Sequence, residues 1–157
     1  MTDYTRGKIF NWTKAAIVSF EQLKKRVTEA PILTLLDFDK IFTVECDASG
    51  VSIGGVLRQE GRPIVFFSEK LNESKQNYNT YDKEFYAPVQ ALKYRRHYLL
   101  HREFILMTDN QALKYINSQS KLSHKHSKWA SFLHAYTFVV QHRSGKTNVV
   151  AYALSRR

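Results

Sequence analysis

Three short apolar runs crowd into residues 41–71, and the turns between them are too tight for anything but antiparallel strands. IFTVECDA (41–48) is rich in β-branched and aromatic residues and alternates, placing Phe42, Val44 and Cys46 on one face. Ser49-Gly50 turns the chain into VSIGGVLRQ (51–59), and Gly61 turns it again into PIVFFSEKL (63–71). Such a meander must cover its apolar face, and the rest of the chain offers helices to do so. TKAAIVSFEQLKKRVTE (13–29) has Ala16, Phe20, Leu23 and Val27 at helical spacing, with Thr13 as N-cap and Pro31 as a stop. A second helix is expected over about residues 80–100, with Tyr81, Phe85, Val89 and Leu92 on its buried stripe. EFILMTD (103–109) reads as a fourth strand, QALKYINS as a short helix, and 123–134 as a longer one with Trp129, Phe132 and Leu133 inward. YTFVVQHR (136–143) is the last strand and NVVAYALSR the last helix. Strands followed by crossovers predict an α/β fold, a mixed sheet with helices on its faces.

With 157 residues, 43% of them hydrophobic, the chain can build one real core. Its apolar runs fall short of a membrane span, and MTDYTRGKIF lacks the apolar stretch of a signal peptide. An intracellular protein, cytoplasmic or nuclear, is therefore expected. The lone Cys46 excludes an internal disulfide and faces the core, and neither it nor the six histidines have a familiar zinc spacing. Net charge is +10, from 24 Lys and Arg against 14 Asp and Glu. These cations cluster in KYRRHYLLHR (93–102), KLSHKHSK (121–128), HRSGK (142–146) and Arg156-Arg157. Local density of this kind is what phosphate neutralisation needs, which points to a nucleic acid partner. Solvated basic faces account for the same clusters equally well.

Three acids stand where elements would deliver them to one end of a sheet. Asp47 ends the first strand, Glu84 lies in the first turns of the second helix, and Asp109 ends the fourth strand. If the first and fourth strands are neighbours, Asp47 and Asp109 sit side by side, within reach of Glu84. Clustered carboxylates repel unless a cation lies between them, and hard oxygen ligands favour Mg²⁺ or Mn²⁺. Acids at strand ends and on helix surfaces are also common without any such role.

VECDASGVSIGGVLRQ, PIVFFSEKLNESKQNYNTYDKEFYA, FILMTDNQALKYI and HRSGKTNVVAYALSR closely resemble the ribonuclease H domain of reverse transcriptases from gypsy-type LTR retrotransposons, with a flavour of plant elements. The resemblance covers residues 41–157. Residues 1–40, with their one helix, resemble the connector joining that domain to the polymerase. The resemblance implies a ribonuclease H-like fold with a five-stranded mixed sheet. It also implies endonucleolytic cleavage of the RNA strand of RNA–DNA hybrids with two Mg²⁺ ions, Mn²⁺ serving as substitute. Under it, Asp47, Glu84 and Asp109 match metal ligands and His142 matches a histidine that helps product leave. Ser49 and Asn110 become candidates for phosphate or sugar contact, although turn-capping explains them as well. Lys121, Lys125, Lys128, Arg143 and Lys146 become candidate contacts to the duplex. The polymerase itself is not represented, since no paired-aspartate motif occurs.

Three positions depart from the family pattern. NVVADALSR is replaced by NVVAYALSR, so the fourth acid is Tyr152, and a neutral phenol cannot hold Mg²⁺ at neutral pH. A weakened second metal and impaired activity are expected. Pro88 stands inside the second helix, where it deletes the hydrogen bond to the carbonyl of Glu84 and threatens a kink. Arg95 replaces a tryptophan, leaving a charge that needs an exit to solvent. The competing expectation is a nuclease-dead module, reused to bind nucleic acid or another protein.

Overall fold

The computed structural model describes residues 12–28, 33–110, 113, 123–145 and 147–156. The chain divides into two compact units, Met1–Thr34 and Leu35–Arg157. In the first unit, α1 spans Lys14–Thr28. Thr13 begins it, its hydroxyl accepting from the Ala16 N–H at 3.2 Å. The Trp12 and Phe20 rings meet 5.2 Å apart.

The second unit is a five-stranded mixed sheet flanked by helices. Its strands are β1 (Phe42–Ala48), β2 (Ser52–Gln59), β3 (Arg62–Lys70), β4 (Glu103–Thr108) and β5 (Thr137–His142), in the order β3-β2-β1-β4-β5. The meander is antiparallel, whereas β4 and β5 add in parallel on the other side of β1. Glu60 and Gly61 both take positive φ between β2 and β3, as a two-residue hairpin of matching twist requires.

The helices of this unit are α2 (Glu73–Gln76), α3 (Thr80–Tyr94), α4 (Arg96–Leu99), α5 (His124–Leu133) and α6 (Val149–Leu154). The core lies between one sheet face and α3 with α5, built on Phe42, Val44, Cys46, Phe85, Val89, Leu92, Phe104 and Leu106. Cys46 is buried there, and burial pushes its thiol well above the ordinary range. The expected single helix over 80–100 breaks at Arg95, whose backbone leaves the helical region (φ −115°, ψ 17°) before the chain restarts as α4. The break lets Leu99 enter the core, where it is fully buried. The α2 turn falls where only a polar loop was expected. The helix expected over 111–118 lies outside the described residues except for Leu113, which is buried.

Within the second unit, segment 37–40 is fastened to the end of β2 and the turn after it by polar contacts. Gln59 takes the Asp37 N–H at 2.9 Å and donates to the Lys40 carbonyl at 3.0 Å. Lys40 pairs with Glu60 at 2.8 Å. No helix among the described residues is long and apolar enough to cross a membrane.

Candidate active site

The parallel pairing of β1 with β4 aligns Glu45 with Met107, and two further residues along each strand come Asp47 and Asp109. The two acids therefore leave the sheet side by side at its carboxyl end. Glu84 arrives from α3, whose first turn is set by Asn79, the side chain accepting from the Asp82 N–H at 2.7 Å. The helix runs unbroken through Pro88, which is buried. The three carboxylates interact. Burial raises Asp47 above the usual carboxylate range, the charge of Asp109 adds to it, and Ser155 and Arg156 oppose it. Burial likewise raises Glu84, reinforced by Asp109 and Asp47. These are hard anionic donors in mutual conflict, the donor chemistry of a divalent cation site. Among the described residues, no three His, Cys, Asp or Glu side chains stand close enough together to enclose an ion.

The fourth corner is made by α6, which lies directly on β2. Gly54 makes this possible: a Cβ there would fall 2.6 Å from both the Ala151 carbonyl oxygen and the Ser155 nitrogen. The end of the helix is tied down by hydroxyls. Ser52 Oγ donates to the Ser155 carbonyl at 2.5 Å, and Ser68 Oγ donates to the Leu154 carbonyl at 2.8 Å. At the other end, buried Asn148 donates from Nδ2 to the Cys46 carbonyl at 2.9 Å. Ser155 Oγ donates to Asp47 Oδ2, a charge-assisted bond that orients the acid. Tyr152 comes to the same edge. A Cβ at Gly145 would lie 3.9 Å from both Asp47 Oδ1 and the Tyr152 ring.

The structure disposes of the remaining candidates in different ways. His142 is exposed at the end of β5, opposite Thr108 and thus one residue from Asp109. Ser49 is a turn-former: its Oγ accepts from the Val51 and Ser52 N–H groups at 3.2 and 3.1 Å. Asn110 is buried, its N–H bonded to Thr108 Oγ1 at 3.2 Å. Arg143 is drawn to buried Glu45, with Nη1 2.5 Å from Oε1, while Arg58 Nε lies 3.2 Å from the other oxygen. Lys125 and His126 both reach buried Asp82 at 2.5 Å. Lys125 also lies 4.1 Å from the Tyr78 ring centroid. Lys128 is exposed on α5, and Lys121 and Lys146 lie outside the described residues. Arg95 solves its exit by donating to the Phe66 carbonyl at 3.2 Å. Sequence reading missed Ser155 and Arg156 as site residues, because nothing local marks a serine more than a hundred positions from Asp47 as its partner.

Comparison with known proteins agrees with this architecture. The family described as the RNase H-like domain found in reverse transcriptase matches residues 37–136, a span holding Asp47, Glu84 and Asp109 but not Tyr152. The retrovirus-related Pol polyprotein from transposon 297 of Drosophila melanogaster is 41% identical over 151 residues, or 96% of this chain. The chain spans only 14% of that polyprotein. Among solved structures, a foamy viral protease–reverse transcriptase in complex with double-stranded DNA superposes with a TM-score of 0.66 at 15% identity, over 89% of this chain and 28% of that one. RNase H1 of Halobacterium salinarum superposes with a TM-score of 0.55 at 15% identity, over 73% of this chain and 92% of that one. At these identities the likeness shows a shared fold.

Proposed function

The chain belongs to the RNase H-like domains found in reverse transcriptase, and from that premise we propose that it is the nuclease part of a gypsy-type retrotransposon polyprotein. In this reading it hydrolyses the RNA strand of RNA–DNA hybrids at a site one carboxylate short. Residues 1–40 would then be the junction with the polymerase part. The carrying observation is that Asp47, Glu84 and Asp109 are delivered to one end of the sheet, near enough for Asp47 and Glu84 to be raised by burial and by the charge of the neighbouring acids.

Drawn closer together than they stand here, these three carboxylates would hold a divalent ion, Mg²⁺ or Mn²⁺. Such an ion supplies Lewis-acid polarisation of the phosphodiester and a more acidic water. Asp47 is held for the task by Ser155, and Glu84 by the Asn79-capped turn of α3. His142, exposed beside the Asp109 strand end, would meet the departing product. Lys128 faces solvent on α5, whereas Lys125 and Arg143 are committed to Asp82 and Glu45, so duplex contact is assigned to Lys128 before the other two.

Tyr152 favours a second reading, in which the fold survives as a hybrid-binding module without chemistry. Cleavage of a labelled RNA–DNA hybrid in Mg²⁺ and in Mn²⁺, beside Asp47→Asn and Tyr152→Asp, separates the two. Slow cleavage abolished by Asp47→Asn and raised at least about ten-fold by Tyr152→Asp is expected for the nuclease. Salt-sensitive binding with no cleavage by any of the three chains would establish the second reading.

A further inference from the structure

KYRRHYLLHR (93–102) is a basic run that the acid end of the sheet does not use. It holds four Lys and Arg, two His and no acid. The run ends where β4 begins, at the opposite end of the sheet from the carboxylates. Tyr94 stands ten residues along α3 from Glu84, about 15 Å away. The break at Arg95 wraps the run around this corner: Leu92 and Leu99 turn into the core, while Lys93, Tyr94, Arg96 and His97 are exposed.

The cations of the corner differ in kind from Arg143 and Lys125, which the fold neutralises with buried acids. Arg95 donates to the carbonyls of Tyr94 and Phe66 at 3.3 and 3.2 Å, and Lys93 lies 5.6 Å from the Phe132 ring centroid. Carbonyls and rings hold a cation in place without cancelling its charge. Among the described residues, no carboxylate forms an ion pair with Lys93, Arg95 or Arg96. An aromatic surface lies between them. The Tyr94 ring packs on Phe67 with centroids 4.9 Å apart, yet stays 52% exposed. A ring braced by another ring and half open to solvent is a stacking surface that needs little further ordering.

We propose that Lys93, Tyr94, Arg95 and Arg96 form a separate site for a single-stranded polynucleotide, the cations taking phosphates and Tyr94 taking an unstacked base. A duplex keeps its bases paired and stacked, so only the cations would serve it. The site is independent of any chemistry at the carboxylates.

The test is fluorescence anisotropy of a labelled oligothymidylate of about twelve nucleotides, in EDTA, with circular dichroism confirming that each variant is folded. The native chain should bind it, with affinity falling steeply as salt rises. Lys93→Gln combined with Arg96→Gln should weaken binding at least about ten-fold and flatten the log–log salt slope by roughly 1.4. Tyr94→Leu should weaken it at least about five-fold and leave that slope unchanged. Lys70→Gln, at the other end of the sheet opposite Ser52, should change neither. A DNA duplex of the same length should be indifferent to Tyr94→Leu. No binding by the native chain would overturn the inference, as would equal losses from Lys70→Gln. Indifference of the single strand to Tyr94→Leu would also overturn it, making the corner a general polyanion surface. None of these results bears on hybrid cleavage, which the metal-dependent assay above decides separately.

Discussion

Two helices bring side chains to the same end of the sheet, and they are held there by opposite means. The fifteen-residue α3 is secured by apolar burial: Phe85, Val89 and Leu92 sit at 0–1% exposure against the sheet. The six-residue α6 buries only Ala151 among its own residues and has no side-chain cap bond at Asn148. It is secured by contact so close that Gly54 admits no Cβ, and by the hydroxyls of Ser52 and Ser68 and the amide of Asn148. The side chain at 152 belongs to neither set of anchors. It is 39% exposed, so its identity is free to change without loosening the helix. On α3 the carboxylate Glu84 precedes an apolar run, and its placement follows from the core. On α6 the side chain at 152 and the anchoring are separate, so an acid or a tyrosine could stand there and leave the architecture whole.

The contrast is broken most severely at α3. Phe85→Ala removes a fully buried ring and should cost about 3–5 kcal/mol. At about 2–4 °C per kcal/mol the melting temperature should fall by roughly 6–20 °C. Helix, acid site and fold should be lost in a single urea transition. A two-step transition with the sheet surviving would show that α3 is not the dominant anchor.

A smaller effect is expected from Gly54→Ala, which places a Cβ against the α6 backbone and should cost about 1–3 kcal/mol. The loss should be local. Amide hydrogen exchange over 148–155 should accelerate while the protection of 85–92 is retained. Uniform acceleration through both helices would mean that the two attachments are not independent.

The anchors of the two helices were unequally legible in the sequence. Alternation with tight turns marked β1 to β3 to within a residue or two, and the apolar stripe of α3 was readable because burial leaves a period. The three acids were readable as strand-end and helix-start carboxylates. The attachments of α6 were not, since a serine hydroxyl meeting a carbonyl 103 residues away has no periodicity. The same blindness affected the cations. Arg143 and Lys125 read as free charges, yet the fold commits them to Glu45 and Asp82, acids whose burial no local pattern announced. The break at Arg95 was hidden too, because neither glycine nor proline marks it and the burial of Leu99 decides it.

The mildest effect is electrostatic and sets two acids of α3 against each other. Asp82 is buried, which alone would raise it, but hydrogen bonds from Lys125 and His126 outweigh burial and hold it below the ordinary carboxylate range. Glu84, two residues on, is raised, as is Asp47 beside Ser155. The signs of their linkage to folding are opposite. A depressed folded value means that Asp82 contributes stability above the ordinary carboxylate pKa of about 4, lost as pH falls through its folded value. Raised folded values mean that Asp47 and Glu84 favour the fold at low pH, and that this contribution disappears as pH rises through those values. In metal-free buffer, Asp82→Asn should therefore lower the melting temperature at pH 7 and matter little near pH 2. Asp47→Asn should raise it modestly at pH 7 and be neutral near pH 2, where the acid is protonated in both states. Saturating Mn²⁺ should reverse the second comparison, because only the native carboxylate gains from the ion. If Asp47→Asn instead destabilises the metal-free chain at pH 7, the Ser155 hydrogen bond already satisfies that acid, and the conflict on which the cation site rests is absent.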